Sequence, residues 1–109
     1  MTNNERLYGI LGLCRRANKI SHGHDSSVAA IMNRDAALCL VSSDASDRLY
    51  NDLVFTCEKV NSRVPIIKVE FTMDEIGMCL GAKKAAVITI NDKGFAKKIN
   101  ELIGRKTDI

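Results

Sequence analysis

Hydrophobic residues spaced three and four positions apart recur along most of this chain and predict five helices. The first helix is expected to end near residues 16–18, and the last to end before a polar tail over residues 104–109. Each predicted helix begins close to residues whose side-chain oxygens can cap a helix start. These residues are 2–4, Asp25 or Ser26, 43–47, Thr72 with Glu75 as a capping box, and Asn91 or Asp92.

Short apolar runs between the helices predict four strands. Residues 37–42 form a continuous apolar run, which is typical of a strand buried on both faces at the centre of a sheet. Residues 65–70 and 85–90 are predicted strands as well, and residues 19–22 form a weaker one. Because helices and strands alternate with short connections, we predict a three-layer α/β/α sandwich around a four-stranded mixed sheet. We expect most strands to be parallel, while the weak first strand can pair antiparallel at an edge.

The length and composition favour one folded domain over residues 1–109. The chain has 109 residues, of which 46% are hydrophobic and 27% charged, a balance that can bury a core. No apolar run approaches the roughly 20 residues that cross a bilayer, and the first residues lack the layout of a signal peptide. We therefore expect a cytoplasmic protein with no membrane partner.

Cysteine and histidine usage indicates neither a disulfide scaffold nor a metal site. The four cysteines are far apart in the sequence and lie among apolar neighbours; they are Cys14, Cys39, Cys57 and Cys79. Each is expected to behave as a small buried hydrophobic residue. His22 and His24 have no companion ligands at metal-binding spacing beyond Asp25. The sequence predicts no metal and no cofactor.

The motifs of common enzyme classes are missing from the sequence. It contains no glycine-rich dinucleotide fingerprint and no nucleophile motif, so no catalytic residue is predicted. Asp44 follows the central predicted strand, where open α/β sheets bind ligands. The structural alternative is a turn and helix cap over residues 44–46. A small enzyme or ligand binder using Asp44 with His22 or His24 is left as a minor hypothesis.

Basic residues are grouped in three places, although the net charge is only +3. The groups are Arg15, Arg16 and Lys19; Lys83 and Lys84; and Lys93, Lys97, Lys98, Arg105 and Lys106. The first two flank residues 23–26, which open the second helix, and free N–H groups at a helix start beside cations can bind a phosphate. The third group is more typical of a solvated helix face, because Glu101 stands four residues after Lys97 and suits an ordinary ion pair.

Several strings, in this order and spacing, resemble a known family across nearly the whole chain. They are residues 11–19 (LGLCRRANK), 23–25 (GHD), 37–46 (ALCLVSSDAS), 57–58 (CE), 64–65 (VP), 76–81 (IGMCLG) and 89–98 (TINDKGFAKK). Together they are similar to the bacterial YlxQ-type branch of the kink-turn RNA-binding ribosomal protein family.

The resemblance implies an α/β/α sandwich with an RNA-binding edge, built from the start of the second helix and the loop before the last strand. These segments correspond to residues 23–29 and 82–85. The implied partner is structured RNA, either a kink-turn or ribosomal RNA, together with association with the ribosome. The residues expected to contact RNA are Arg16, Lys19, Gly23, His24, Asp25, Ser26, Lys83 and Lys84.

Three side chains depart from the family pattern at the helix start. Members that bind kink-turns use an Asn, a Glu and, one turn later, a Lys, where this chain has Asp25, Ser26 and Ala29. An ionised Asp only accepts hydrogen bonds, Ser is too short to span a guanine edge, and Ala carries no charge. Two hypotheses follow: a non-enzymatic RNA-binding protein of ribosomal type, or the same fold with a degenerate site that binds a protein or ribosomal RNA non-specifically.

Overall fold

The computed structural model describes residues 2–107, and the side chains up to residue 104. Helices and strands alternate along the chain as the sequence predicts. The elements are α1 (Asn3–Arg16), β1 (Ile20–His22), α2 (His24–Met32), β2 (Leu38–Val41), α3 (Asp47–Lys59), β3 (Ile66–Lys68), α4 (Met73–Leu80), β4 (Val87–Ile90) and α5 (Lys93–Thr107). None of the helices in this part of the chain is long and apolar enough to cross a membrane.

The four strands form one mixed sheet in the order β1-β4-β2-β3. β2 and β3 are parallel, whereas β4 runs antiparallel to both β1 and β2. The predicted mixed sheet with an antiparallel edge strand is confirmed, but the expectation that most strand pairs are parallel is wrong.

The short connection through α4 explains why β4 runs antiparallel to its neighbours. After eight residues of helix the chain returns to the beginning of α4, where the Ala85 N–H donates to the Met73 carbonyl at 3.0 Å. β4 therefore enters the sheet at the end where β3 leaves it.

Two hydrophobic layers cover the sheet, which confirms the three-layer sandwich. All four residues of β2 are buried, and they alternate between the layers. Leu38 and Leu40 pack in a cluster with residues of α1, α4 and α5. Cys39 and Val41 pack in the opposite cluster with residues of α2 and α3. β2 and β4 are thus the two central strands, and both are buried throughout.

Side-chain caps fix four of the helix starts where the sequence predicts them. Thr2, Ser46, Thr72 and Asp92 each accept a hydrogen bond from the backbone N–H three residues further on. The start of α2 differs, because neither Asp25 nor Ser26 is its cap. The helix already begins at His24, and the N-cap residue is Gly23.

The last helix is longer than expected. α5 continues through Gly104 to Thr107, so residues 104–107 of the predicted polar tail are helical. The rest of that tail, residues 108–109, lies outside the described residues.

Cys14, Cys39 and Cys57 are buried, as expected for small hydrophobic side chains, and Cys79 is half-buried. Burial raises the pKa of Cys14 to about 11 and that of Cys39 to about 12. These thiols are therefore protonated at neutral pH and fill space in the core.

Candidate nucleic-acid interface

The start of α2 is held by the backbone of one glycine. Gly23 has φ 93° and ψ 163°, a conformation that is essentially confined to glycine. Its N–H donates to the Val87 carbonyl at 2.9 Å, which ties the helix start to the beginning of β4. No side chain caps the first N–H groups of α2. These donors, together with the positive end of the helix dipole, are available to an anion.

The first three side chains after Gly23 point to solvent. His24, Asp25 and Ser26 are exposed, and the His24 Nδ1 lies 3.6 Å from the Asp25 Oδ1. Ala29, one turn later, is exposed as well. The three positions at which the chain departs from the kink-turn pattern therefore lie on the accessible surface of α2.

The loop over residues 82–86 is held against α4 at two points. The Ala85 N–H donates to the Met73 carbonyl at the helix start, and the Ala82 N–H donates to the Gly77 carbonyl at 2.8 Å. A Cβ on Gly77 would lie 2.7 Å from the Lys83 carbonyl oxygen, so glycine is what allows this close approach. The loop consequently presents Lys83 and Lys84, both exposed, from a fixed backbone.

Strand β4 brings this loop beside the start of α2. The loop leads directly into Val87, whose carbonyl accepts from Gly23, and the Ser42 N–H donates to the Ala86 carbonyl at 2.9 Å. We call the resulting surface, residues 23–26 with residues 82–86, the α2–loop edge. It combines uncapped helix-start donors with two lysines, an arrangement suited to binding phosphate groups.

Arg16 and Lys19, which were also predicted to contact RNA, lie outside the α2–loop edge. Arg16 lines a groove between α1 and α5. The carbonyl of Lys19 accepts from the Asn91 N–H at 2.7 Å, which places Lys19 at the other end of β4. The sequence order made these residues neighbours of Gly23, but the intervening strand β1 separates them from it.

Two residues that contact the loop of this edge were missed by sequence reasoning. The sequence analysis does not predict that the loop packs against Gly77, although a glycine inside a helix often has a packing reason. Arg15 packs its guanidinium within 3.6 Å of the position that a Cβ on Gly81 would occupy, at the start of the loop. Arg15 and Tyr8 are seven residues apart, so the sequence indicates that they share one face of α1. It does not identify the element that this face contacts.

Asp44 has a structural role beside the loop. Its Oδ1 accepts from the Met73 N–H at 2.9 Å, so it satisfies the first N–H of α4 beside the N-cap Thr72, whereas Ser46 caps α3. That hydrogen bond is the main reason why the pKa of Asp44 lies below its usual value, and the nearby charge of Lys84 lowers the pKa further. The carboxylate is thus engaged in holding α4, and nothing in its contacts favours the enzyme hypothesis.

Replacing Asp44 with Asn tests this role through its pH dependence. Because the pKa of the folded state is lowered, the ionised carboxylate stabilises the fold above the unfolded pKa of about 4, and this contribution is lost as the pH falls through the folded value. We expect D44N to be less stable than the parent at pH 7 and equally stable near pH 2. Thermal melts by circular dichroism measure the difference. A stability difference between D44N and the parent that is independent of pH would contradict this role of the ionised carboxylate.

Replacing Gly23 with Ala is expected to destabilise the fold by about 1–3 kcal/mol, because the backbone conformation is strained for any residue with a Cβ. Neighbouring atoms are not the cause, since nothing lies within 4 Å of the added Cβ. Urea denaturation provides the measurement. Ser26→Ala, at an exposed position on the same helix, serves as the control and should change stability by less than about 0.5 kcal/mol. Equal stability of the parent and G23A would show that the conformation is not strained.

Comparison with known proteins gives consistent matches over most of the chain. The model of the ribosomal protein L7Ae/L30e/S12e/Gadd45 family matches residues 5–100. The RNA-binding protein YlxQ of Bacillus subtilis (strain 168) is 32% identical over 96 residues, which cover 88% of this chain and 93% of that protein. The RNA-binding protein YlxQ of Enterococcus faecium is 34% identical over 106 residues, covering 93% and 94%.

Two solved structures share the architecture. A protein with unknown function from Bacillus halodurans C superposes with a TM-score of 0.80 at 28% identity, covering 90% of this chain and 96% of that one. The Giardia lamblia 15.5kD RNA binding protein superposes with a TM-score of 0.70 at 17% identity, covering 94% and 86%. At this low identity the second likeness shows the fold alone.

Proposed function

The chain belongs to the ribosomal protein L7Ae/L30e/S12e/Gadd45 family, and from this premise we propose that it is a non-enzymatic protein that binds structured RNA. The matches to two YlxQ proteins confirm the resemblance to the YlxQ-type branch. Both of these relatives are named as RNA-binding proteins, and they align over most of this chain. Association with the ribosome and a cytoplasmic location stay predictions from the sequence.

The observation that supports this function best is the composition of the α2–loop edge. It places the start of α2, with Gly23 as the N-cap, beside Lys83 and Lys84. Backbone N–H groups and lysines are the usual partners of phosphate oxygens in nucleic acids. Because Gly23 carries no side chain, an RNA backbone can approach the helix start closely.

We propose a kink-turn as the RNA class that this edge recognises, with groups other than the usual side chains. Asp25 can accept hydrogen bonds from guanine or cytosine amino groups, although it cannot donate to a guanine oxygen. The helix-start donors and the two lysines supply contacts to the phosphate backbone that do not depend on Ser26 or Ala29. Recognition would then rest on the shape of the bent backbone as much as on base edges.

A second candidate function is favoured by the accessible, uncharged positions Ser26 and Ala29. Without a Glu and a Lys there, the edge lacks the side chains that select guanine in kink-turn binders. The protein would then bind ribosomal RNA through phosphate contacts alone, or present this edge to a protein.

A salt titration of binding to a kink-turn RNA and to a plain duplex of equal length separates these functions. We expect tighter binding to the kink-turn, with a preference that persists in moderate salt, because shape and base contacts respond less to salt than phosphate contacts do. Equal and steeply salt-sensitive binding to both RNAs would favour the second candidate. Binding to neither RNA, at any salt concentration, would contradict RNA binding through this fold.

A further inference from the structure

A second group of cations lies away from the α2–loop edge, where the end of α1 meets the beginning of α5. All of its side chains are exposed. The members are Arg16, Lys19, Lys93, Lys97 and Lys98. Two of them, Arg16 and Lys19, are the predicted RNA contacts that the fold separates from Gly23. We call this group the α1–α5 basic surface.

Shared clefts connect the members of this surface. Arg16 and Lys98 line the same groove between α1 and α5, with a volume of about 570 Å³. Lys98 and Lys97 line an adjoining cleft of about 480 Å³ beside Phe95. Lys97 and Lys93 line a further cleft of about 280 Å³. Lys97 and Lys98 thus link these clefts, which extend around the first turns of α5 from Arg16 to Lys93.

Lys19 joins the surface from the strand side. Its carbonyl accepts from the Asn91 N–H at 2.7 Å, two residues before α5 begins. The positive end of the α5 dipole lies at the same place and adds to the potential.

The cations of this surface form no direct ion pairs with acidic side chains. Within the described part of the chain, no ion pair involves any of the five, and the expected pair between Lys97 and Glu101 is not formed. Glu5 and Glu101 line the groove with Arg16 and Lys98, and Asp92 accepts from the Phe95 N–H at 2.8 Å as the cap of α5. Clustered like charges repel one another, and an anionic partner relieves that repulsion.

The two surfaces lie at opposite ends of β4. Gly23 is bonded to Val87 at the first residue of the strand, while Lys19 is bonded to Asn91 just after its last residue. Four strand residues span about 13 Å. A nucleic-acid duplex carries one negative charge for roughly every 1.7 Å of its axis, so it presents several phosphates over this distance.

We propose that the α1–α5 basic surface is a second RNA-contacting surface, which binds the phosphate backbone of the RNA whose other segment occupies the α2–loop edge. This inference rests on the proposed RNA-binding function and extends it to a two-surface footprint. Phosphate is the favoured ligand because the surface offers one guanidinium and four ammonium groups, and the successive anions of a nucleic-acid backbone can pair with several of them.

The test replaces Arg16, Lys97 and Lys98 together with Ala. Binding is measured over a range of salt concentrations to the kink-turn RNA and to the same RNA with one arm lengthened by a helical turn. Against the longer RNA, we expect the triple variant to bind at least tenfold more weakly at about 0.1 M salt. The slope of log affinity against log salt should be smaller by about two. Its preference for the kink-turn over a duplex should be unchanged, because the α2–loop edge is intact.

The matched control removes three exposed cations from the region of α3, in the variant Arg48→Ala, Lys59→Ala, Arg63→Ala. It has the same net charge as the triple variant. We expect it to bind the longer RNA within about twofold of the parent, because none of its three cations lines the clefts of the α1–α5 basic surface. If it weakens binding as much as the triple variant does, net charge alone is responsible and the second surface is refuted.

The outcomes distinguish this inference from the proposed function. If the parent protein binds neither RNA, the RNA-binding function itself fails. If the parent binds the longer RNA and the triple variant binds it equally well at every salt concentration, the function stands and the second surface is refuted. The surface would in that case be free for a different partner, such as an acidic protein segment.

Discussion

Introducing Glu at Ser26 and Lys at Ala29 together is expected to raise the affinity for kink-turn RNA by roughly 30-fold or more. These residues restore two base contacts of kink-turn binders, and a good bidentate contact contributes about 1–3 kcal/mol of discrimination. Both positions are accessible from solvent on α2, so the new side chains can extend away from the core. Titration of the parent and S26E/A29K with labelled kink-turn RNA gives the comparison.

The matched control exchanges the two new residues, as Ser26→Lys with Ala29→Glu. It has the same composition and net charge, but it places neither group where the guanine edges are expected. We therefore predict no gain in kink-turn preference for the control. A similar gain in both variants would attribute the effect to helix stabilisation, and no gain in either would show that α2 does not face the RNA.

Substitution of Gly77 by Ala is expected to displace the lysine loop and to lower the stability of the fold. The added Cβ would meet backbone atoms of Lys83 at 2.7 and 2.8 Å and of Lys84 at 2.9 Å, and backbone cannot rotate away as a flexible side chain can. Overpacking of this kind typically costs about 1–3 kcal/mol. RNA binding should weaken as well, by roughly tenfold at 0.1 M salt for each phosphate group that the displaced lysines no longer bind.

Gly12→Ala is the appropriate control for Gly77→Ala. Gly12 also lies inside a helix, but nothing is within 4 Å of its would-be Cβ. Ala is favoured over Gly in a helix interior by about 0.5–1 kcal/mol, so G12A should be more stable than the parent and should bind RNA equally well. The two substitutions are thus predicted to have opposite signs in urea denaturation. A stabilising effect of G77A would mean that the loop does not pack against α4 at Gly77.

Local sequence signals were sufficient for most of the fold. The capping box at Thr72 and the cap at Ser46 involve only residues three positions apart, and both are formed as predicted. The start of α2 was mispredicted because it depends on a distant partner. Polar side chains at Asp25 and Ser26 suggested a cap, whereas the hydrogen bond from Gly23 to Val87 sets the entry of the chain.

The candidate site was less accessible to sequence reasoning. The segments around Gly23 and Lys83 could be paired only through the family resemblance, because they are brought together by strands far apart in the chain. Two faces of α1 carry cations. Arg16 lies on the face that meets α5, whereas Arg15 lies on another face and its guanidinium is close to Gly81. Helical periodicity defines such faces but does not identify the element that covers each of them.

The central position of β4, the antiparallel strand, affects how the protein folds as it is synthesised. β4 is the last strand of the sheet to emerge from the ribosome, yet it fills the space between β1 and β2, pairing Ile20 and Leu38 with Ile90. Until then β1 and β2 have no shared neighbour, and their unpaired edges are exposed to other chains. Gly23, the N-cap of α2, can likewise form its hydrogen bond to the Val87 carbonyl only after Val87 has been synthesised. An unfinished chain therefore has no completed α2–loop edge, and any ligand that needs both parts of this edge can bind only the full-length protein.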